Sequence, residues 1–204
     1  TVPRFNPNRY TDFPSDTWRN RSVTDMFEPG STFKSFLVAA ALEERVVGPE
    51  DQFFCENGAY RIANKVIHDV HAYGWLDVSS IIKHSSNIGA SKIGQQLGRE
   101  LLYKYVKRFG FTQSTGIQFP GEQQGFMPSL SALSEHTQST IAFGHSITVT
   151  PLQLATAYSA IANGGLLMRP TLVKRIVDAS GMTVQETAPL VRCRVISEET
   201  AATM

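Results

Sequence analysis

Phe27-Glu28-Pro29-Gly30-Ser31-Thr32-Phe33-Lys34-Ser35-Phe36 leads into an apolar, helix-forming run, Thr32 to Val46 (TFKSFLVAAALEERV), that Gly48 closes. The pattern predicts a first long helix over 32–46, with Gly30 as a flexible lead-in. Ser31 and Lys34 stand three residues apart at its start, a spacing that shares one helix face, so the amine can reach the hydroxyl. A helix N-terminus favours negative charge, which suits a developing alkoxide or oxyanion. A partly buried lysine loses preference for its charged form and can accept a proton near neutral pH. A nucleophile and its base placed this way point to acyl transfer.

S-x-x-K alone is short enough to arise by chance as a solvated surface pair. The context decides. Ser85-Ser86-Asn87 follows 54 residues further on, in Asp77-Val78-Ser79-Ser80-Ile81-Ile82-Lys83-His84-Ser85-Ser86-Asn87-Ile88-Gly89-Ala90-Ser91-Lys92. Asp77 can cap a short helix that ends at Ser85 to Asn87, before a second helical pattern begins at Ile88. A hydroxyl and an amide displayed between two helices can relay a proton and hold a substrate amide, although capping and turn duty would use the same residue types.

Together the two motifs resemble the penicillin-binding proteins, the serine D,D-transpeptidases that cross-link peptidoglycan, whose signature is S-x-x-K, S-x-N and K-T-G. Arg19 to Lys34 (RNRSVTDMFEPGSTFK) is similar to the active-site approach of the class B, cell-division enzymes, and Glu28 and Asn87 resemble that type more than the elongation type. Phe143-Gly144-His145-Ser146-Ile147-Thr148-Val149-Thr150-Pro151-Leu152-Gln153-Leu154 resembles a further family stretch, with Ser146 where glycine is more usual. No K-T-G or K-S-G occurs in the 204 residues. The resemblance places that strand after the segment similar to Val195–Met204, where Ser197 reads as an N-cap followed by two glutamates. Thr1 to Asn8 resembles the extended run after the family's first two strands. Residues 1–204 are therefore expected to be a partial transpeptidase domain that lacks N-terminal and C-terminal sheet strands. The expected fold is mainly α with a few short strands, the helical portion of the α/β transpeptidase (serine β-lactamase-like) fold with its central sheet largely missing.

The resemblance implies a mechanism. Ser31, deprotonated by Lys34, attacks the D-Ala-D-Ala amide of a stem peptide; Ser85 passes a proton to the leaving nitrogen, and Asn87 holds the acyl side-chain amide. An amine of a second stem peptide then takes the acyl group, and a β-lactam acylates Ser31 instead. No metal and no cofactor is needed. Implied partners are peptidoglycan stem peptides, β-lactam antibiotics and division-machinery proteins; the implied location is periplasmic, on a parent anchored by an N-terminal helix absent here. Apolar residues of the first helix, including Phe36, Leu37 and Ala40, are expected to pack beneath the absent sheet, leaving an open face that favours self-association and impaired activity. Two rival readings are a catalytically incompetent interaction fragment and a β-lactam sensor or β-lactamase of the same superfamily. Sensors closest to class D carry valine where Asn87 stands, and no base for deacylating water is evident.

Composition fits an ordinary globular chain, with 42% hydrophobic and 18% charged residues. A net charge of +1 gives no electrostatic grip on nucleic acid. No run of 18 apolar residues or signal peptide is present. Cys55 and Cys193 read as two unpaired thiols, and His68-Asp69-Val70-His71 as structural or surface, since no third ligand lies at a metal-binding spacing.

Along the chain, the first 26 residues read as irregular, and 52–70 as a short hairpin turning at Glu56-Asn57-Gly58. Two helices are expected across 78–98, and another over Arg99–Arg108 closed by Gly110. Residues 111–139 read as a long loop. Thr150-Pro151-Leu152-Gln153 reads as a capping box that starts a helix to Asn163. Strands over 171–177 and 182–187, around Ser180-Gly181, give the clearest strand signal.

Overall fold

The computed structural model describes residues 5–204. Its helices are α1 (Arg21–Thr24), α2 (Lys34–Glu43), α3 (Val78–His84), α4 (Asn87–Leu97), α5 (Arg99–Arg108), α6 (Glu135–Ala142), α7 (Pro151–Ala162) and α8 (Glu198–Thr203). The strands are β1 (Gln52–Phe54), β2 (Ala59–Ile62), β3 (Lys65–His68), β4 (Trp75–Asp77), β5 (Leu166–Met168), β6 (Arg175–Val177), β7 (Thr183–Glu186) and β8 (Val191–Arg194). They form four separate two-stranded antiparallel pairs, β1–β4, β2–β3, β5–β8 and β6–β7. The fold is mainly helical, with short strands and no closed sheet among the described residues.

α2 is the centre. Lys34 and Phe36 through Ala41 are all buried, so the helix is enclosed on every side instead of showing one apolar stripe. It packs against α4, α5 and α8, and α6 lies across α4. The α4–α6 approach is close because a Cβ at Gly94 would come within 2.7 Å of the Ala142 Cβ. Phe36 meets Phe109, Phe111 and Tyr158 at ring separations of 5.0, 5.1 and 4.7 Å. The expectation that Phe36, Leu37 and Ala40 await a sheet is overturned, because α5, the Phe111 turn and α7 already reduce them to 2% exposure or less. The helix also starts later than its composition predicts: Gly30–Phe33 is a 3-10 turn, and α2 ends at Glu43, where Arg45 at φ 55° leaves the helical path.

Several other boundaries differ for local reasons. The hairpin in 52–70 is β2–β3, and it turns at Ala63-Asn64. Asn57 and Gly58 do supply positive φ values, 51° and 96°, but they make the corner between β1 and β2, while β1 pairs with β4 outside the hairpin. The loop predicted for 111–139 gives way to α6 at Glu135, capped by Ser134, which accepts from the Thr137 N–H at 3.1 Å. The core-facing residues Gln138, Ser139 and Thr140 are polar, so α6 shows little apolar periodicity. The first 26 residues contain 3-10 turns at Pro7–Asp12 and Ser15–Thr17 as well as α1. Of the extended run expected over Thr1–Asn8, residues 1–4 lie outside the described residues, and Pro7 and Asn8 belong to the first turn.

Other expectations hold. Thr150 and Gln153 close a reciprocal capping box on α7. Ser197 caps α8, and its N–H and hydroxyl, with the Thr200 hydroxyl, donate to Glu43 Oε2 at 2.9, 2.8 and 2.6 Å, docking α8 on the end of α2. Cys55 and Cys193 are both free. Among the described residues no helix is long and apolar enough to cross a membrane.

Candidate active site

Four residues singled out in the sequence meet at one amine. Lys34 Nζ lies 3.1 Å from Ser31 Oγ, 2.9 Å from Ser85 Oγ, 2.9 Å from Asn87 Oδ1 and 2.6 Å from the Ser85 carbonyl oxygen. The side chain is 2% exposed, whereas Ser31 is exposed. Burial pulls the Lys34 pKa down from 10.5 to about 8, against a smaller upward pull from the Asp69 carboxylate. Lys34 therefore yields its proton far more readily than a solvated lysine, while its partners still stabilise the ammonium.

Backbone geometry places each member. Ser85 closes α3 in the left-handed region, φ 57° and ψ 41°, a conformation that costs a residue with a Cβ on the order of 1 kcal/mol. That closure turns both Ser85 oxygens toward Lys34. Ser86 then caps α4, accepting from the Gly89 N–H at 2.9 Å, and Asn87 begins the helix. The Asn87 amide is held from both ends, because Oδ1 accepts from Lys34 and Nδ2 donates to the His68 carbonyl at 3.0 Å.

The turn that presents Ser31 is tied down on three sides. Gly30 N–H donates to the Gly144 carbonyl at 3.0 Å, Thr32 Oγ1 donates to the Pro29 carbonyl at 2.6 Å, and Tyr158 Oη donates to the Thr32 carbonyl at 2.7 Å. Gly144, at φ 82°, runs so close to Gly30 that a Cβ there would lie 2.0 Å from the Gly30 oxygen. Glu28 grips the same loop: Oε1 accepts from the Ser146 N–H and Oε2 pairs with His145 Nδ1, both at 2.8 Å. Those two contacts, the Ser146 N–H first, hold the Glu28 carboxyl below its usual range. Ser146 sits at φ 60°, in the left-handed region where a glycine would carry no Cβ penalty.

Residues 1–204 match the family model of the penicillin binding protein transpeptidase domain. The chain belongs to the penicillin-binding protein transpeptidase family. Stage V sporulation protein D of Bacillus subtilis is 38% identical over 98% of this chain and 31% of the relative. Peptidoglycan D,D-transpeptidase FtsI of Escherichia coli K12 is 35% identical over 85% of this chain and 29% of the relative. Penicillin binding protein 3 of Mycobacterium tuberculosis, solved in complex with aztreonam, superposes with a TM-score of 0.87 at 30% identity, over 98% of this chain and 45% of that one. The TP domain of penicillin-binding protein 3 from Burkholderia pseudomallei gives 0.80 at 34% identity, covering 90% and 53%. The chain thus spans about a third of the length of these curated relatives.

Sequence reasoning missed the supports of this cluster. The sequence reads Asp69 as structural or surface, and its structural contact is a reach across to the start of α4 that local spacing does not reveal. Glu28 served only to suggest a subtype, and its grip on His145 and Ser146 joins residues too far apart in the chain for spacing to reveal. The Tyr158 hydroxyl left no local signal, because it lies on α7 and contacts a backbone carbonyl.

Proposed function

We propose that this segment belongs to a serine-type D-Ala-D-Ala transpeptidase and carries its acylating group. The observation that supports this most is the buried Lys34 amine shared between the Ser31 and Ser85 hydroxyls. In its neutral form Lys34 takes the Ser31 proton as Oγ attacks the penultimate D-alanine carbonyl of a stem peptide. The Oγ–C bond forms and the C–N bond breaks. Ser85 passes the proton from Lys34 to the leaving nitrogen, so free D-alanine departs. A second stem peptide's amine then attacks the ester, and its proton returns through Lys34 to Ser31. Asn87 meets the substrate amide with its second Nδ2 hydrogen and the remaining Oδ1 lone pair.

The Ser31 backbone N–H supplies one oxyanion donor. Because the chain covers 53% of the solved TP domain of the Burkholderia pseudomallei protein, the second donor, the K-T-G lysine and the strands that complete the sheet are assigned to chain outside residues 1–204. The proposal extends to septal cell-wall synthesis, to a periplasmic location on an anchored protein, and to division-machinery partners. Self-association, if this segment is isolated, would use exposed apolar side chains such as Leu172, Met182 and Val184 around the β6–β7 hairpin rather than α2.

Intact-mass spectrometry after mixing the full-length protein with benzylpenicillin tests the reading. A stable adduct that Ser31→Ala abolishes is expected. A transient adduct would favour a β-lactamase, no adduct an interaction protein, and labelling that survives Ser31→Ala would remove Ser31 from the mechanism.

A further inference from the structure

Asp69, just past the end of β3, makes three contacts with the segment that begins α4. Oδ2 accepts from the Ser86 hydroxyl at 2.6 Å, and Oδ1 accepts from the Asn87 N–H at 2.5 Å and the Ile88 N–H at 3.0 Å. Its neighbour His68 receives the Asn87 side-chain amide through its carbonyl oxygen. The end of β3 therefore fastens Ser86, Asn87 and Ile88 through four hydrogen bonds, none of which involves Ser31 or Lys34. Helix capping alone does not require this arrangement, since Ser86 already caps α4 through the Gly89 N–H. The added carboxylate fixes the cap itself. It holds the Ser86 hydroxyl and the first two free N–H groups, where negative charge is also favoured by the helix dipole.

We propose that Asp69 is a positioning residue of the acylating site: by fastening the first turn of α4 it aims the Ser85 and Asn87 oxygens at Lys34 Nζ. The inference rests on the reading of Ser31 and Lys34 as nucleophile and base. A second effect follows from charge. Asp69 attracts the Lys34 ammonium and works against the burial that lowers its pKa. The other titratable groups around the carboxylate are the Cys55 thiol, which receives a weak hydrogen bond from Ser86 at 3.4 Å and is pushed up by burial, and Lys92, paired with Glu56 at 2.6 Å. Next along the chain are His68 and His71 from the β3 end, and His84 closes α3 beside Ser85. The Asp69 charge also helps to raise the Cys55 thiol, so each variant below is compared in a Cys55→Ala background, which takes that thiol out of the profile.

The test is stopped-flow acylation of the full-length protein by a fluorescent penicillin, followed from pH 6 to 10 in Asp69→Asn, Asp69→Ala and Asp69→Glu. Asp69→Asn keeps an acceptor oxygen for the helix N–H groups and carries the test if Asp69→Ala does not fold. Both neutral variants should lose about tenfold or more in the high-pH plateau rate, as expected for a misplaced general base. Their midpoints should also move to lower pH by about half a unit or more, because the ammonium has lost a neighbouring charge. Asp69→Glu should restore the midpoint with a partial plateau. Plateau and midpoint unchanged in the neutral variants would overturn the proposal, and so would a plateau loss with an unmoved midpoint in all three, since a purely structural role predicts that outcome. Labelling of Ser31→Ala would instead sink the reading of the nucleophile and leave a distinct signature.

Discussion

Replacing Lys34 with methionine separates what the amine costs the fold from what it gives the chemistry. Methionine keeps most of the volume and removes the charge. A lysine whose pKa falls from 10.5 to about 8 on folding binds fewer protons in the native than in the unfolded chain across that interval. Stability therefore rises with pH through the window, and below pH 8 the native state bears the full cost of the buried ammonium. At pH 7 that cost is about 3 kcal/mol, from 1.36 kcal/mol per pKa unit, and by about pH 9.5 it has shrunk to roughly 1 kcal/mol. The variant carries no such term. Its lost packing and hydrogen bonds add an offset that does not depend on this proton. The stability difference between wild type and Lys34→Met should then move by about 2 kcal/mol in favour of the wild type between pH 7 and 9.5, whatever its absolute value. Urea unfolding of both proteins at a series of pH values reads this directly, and groups that titrate alike in both cancel. A difference that stays flat with pH would refute the perturbed amine and, with it, the physical reason Lys34 can act as a base.

Gly144→Ala should impair acylation strongly and lower the melting temperature, because the new Cβ would lie 2.0 Å from the Gly30 oxygen at a φ of 82°; a variant with wild-type labelling rate and melting temperature would show that the Ser31 turn does not depend on that approach. Thr150→Ala removes half of the α7 capping box and should cost about 1 kcal/mol or somewhat more, measured by denaturant midpoint at neutral pH. A loss under about 0.3 kcal/mol would mean that Gln153, through its bonds to the Gln113 and Gln124 carbonyls, anchors the helix start alone.

The legible part of the sequence was local. Lys34 follows Ser31 by one turn, and Ser85-Ser86-Asn87 stands where a short capped helix must end, so propensity and spacing brought both motifs into view. α4, α5 and α7 announce themselves through caps and glycines for the same reason. Long-range contacts carried no comparable sign. Asp69 works through the backbone of α4 and looks like any loop acid in its own neighbourhood. α6 turns glutamine, serine and threonine toward the core, which hides its period, and β1 and β4 are three-residue strands that, among the described residues, pair with each other alone. The apolar face of a helix does not say what will cover it, and at Phe36 the cover is Phe109 at the end of α5 and Tyr158 of α7 instead of a sheet.

The grip of Glu28 on Ser146 closes a loop of 118 residues, against 51 for the Lys34–Ser85 contact. During synthesis from the N-terminus, Ser31, Lys34 and Ser85 are all made long before Gly144 leaves the ribosome. The shorter closure costs less entropy and rewards itself earlier, so Lys34 can meet Ser85 while the Ser31 turn is still untethered. A nascent chain halted before residue 144 would hold Ser31, Lys34, Ser85 and Asn87 without the Gly144 carbonyl and the Ser146 N–H that tie down the Ser31 turn. The Ser31 turn is thereby fastened only once the 144–149 stretch has emerged, well after Ser31, Lys34, Ser85 and Asn87 have been joined.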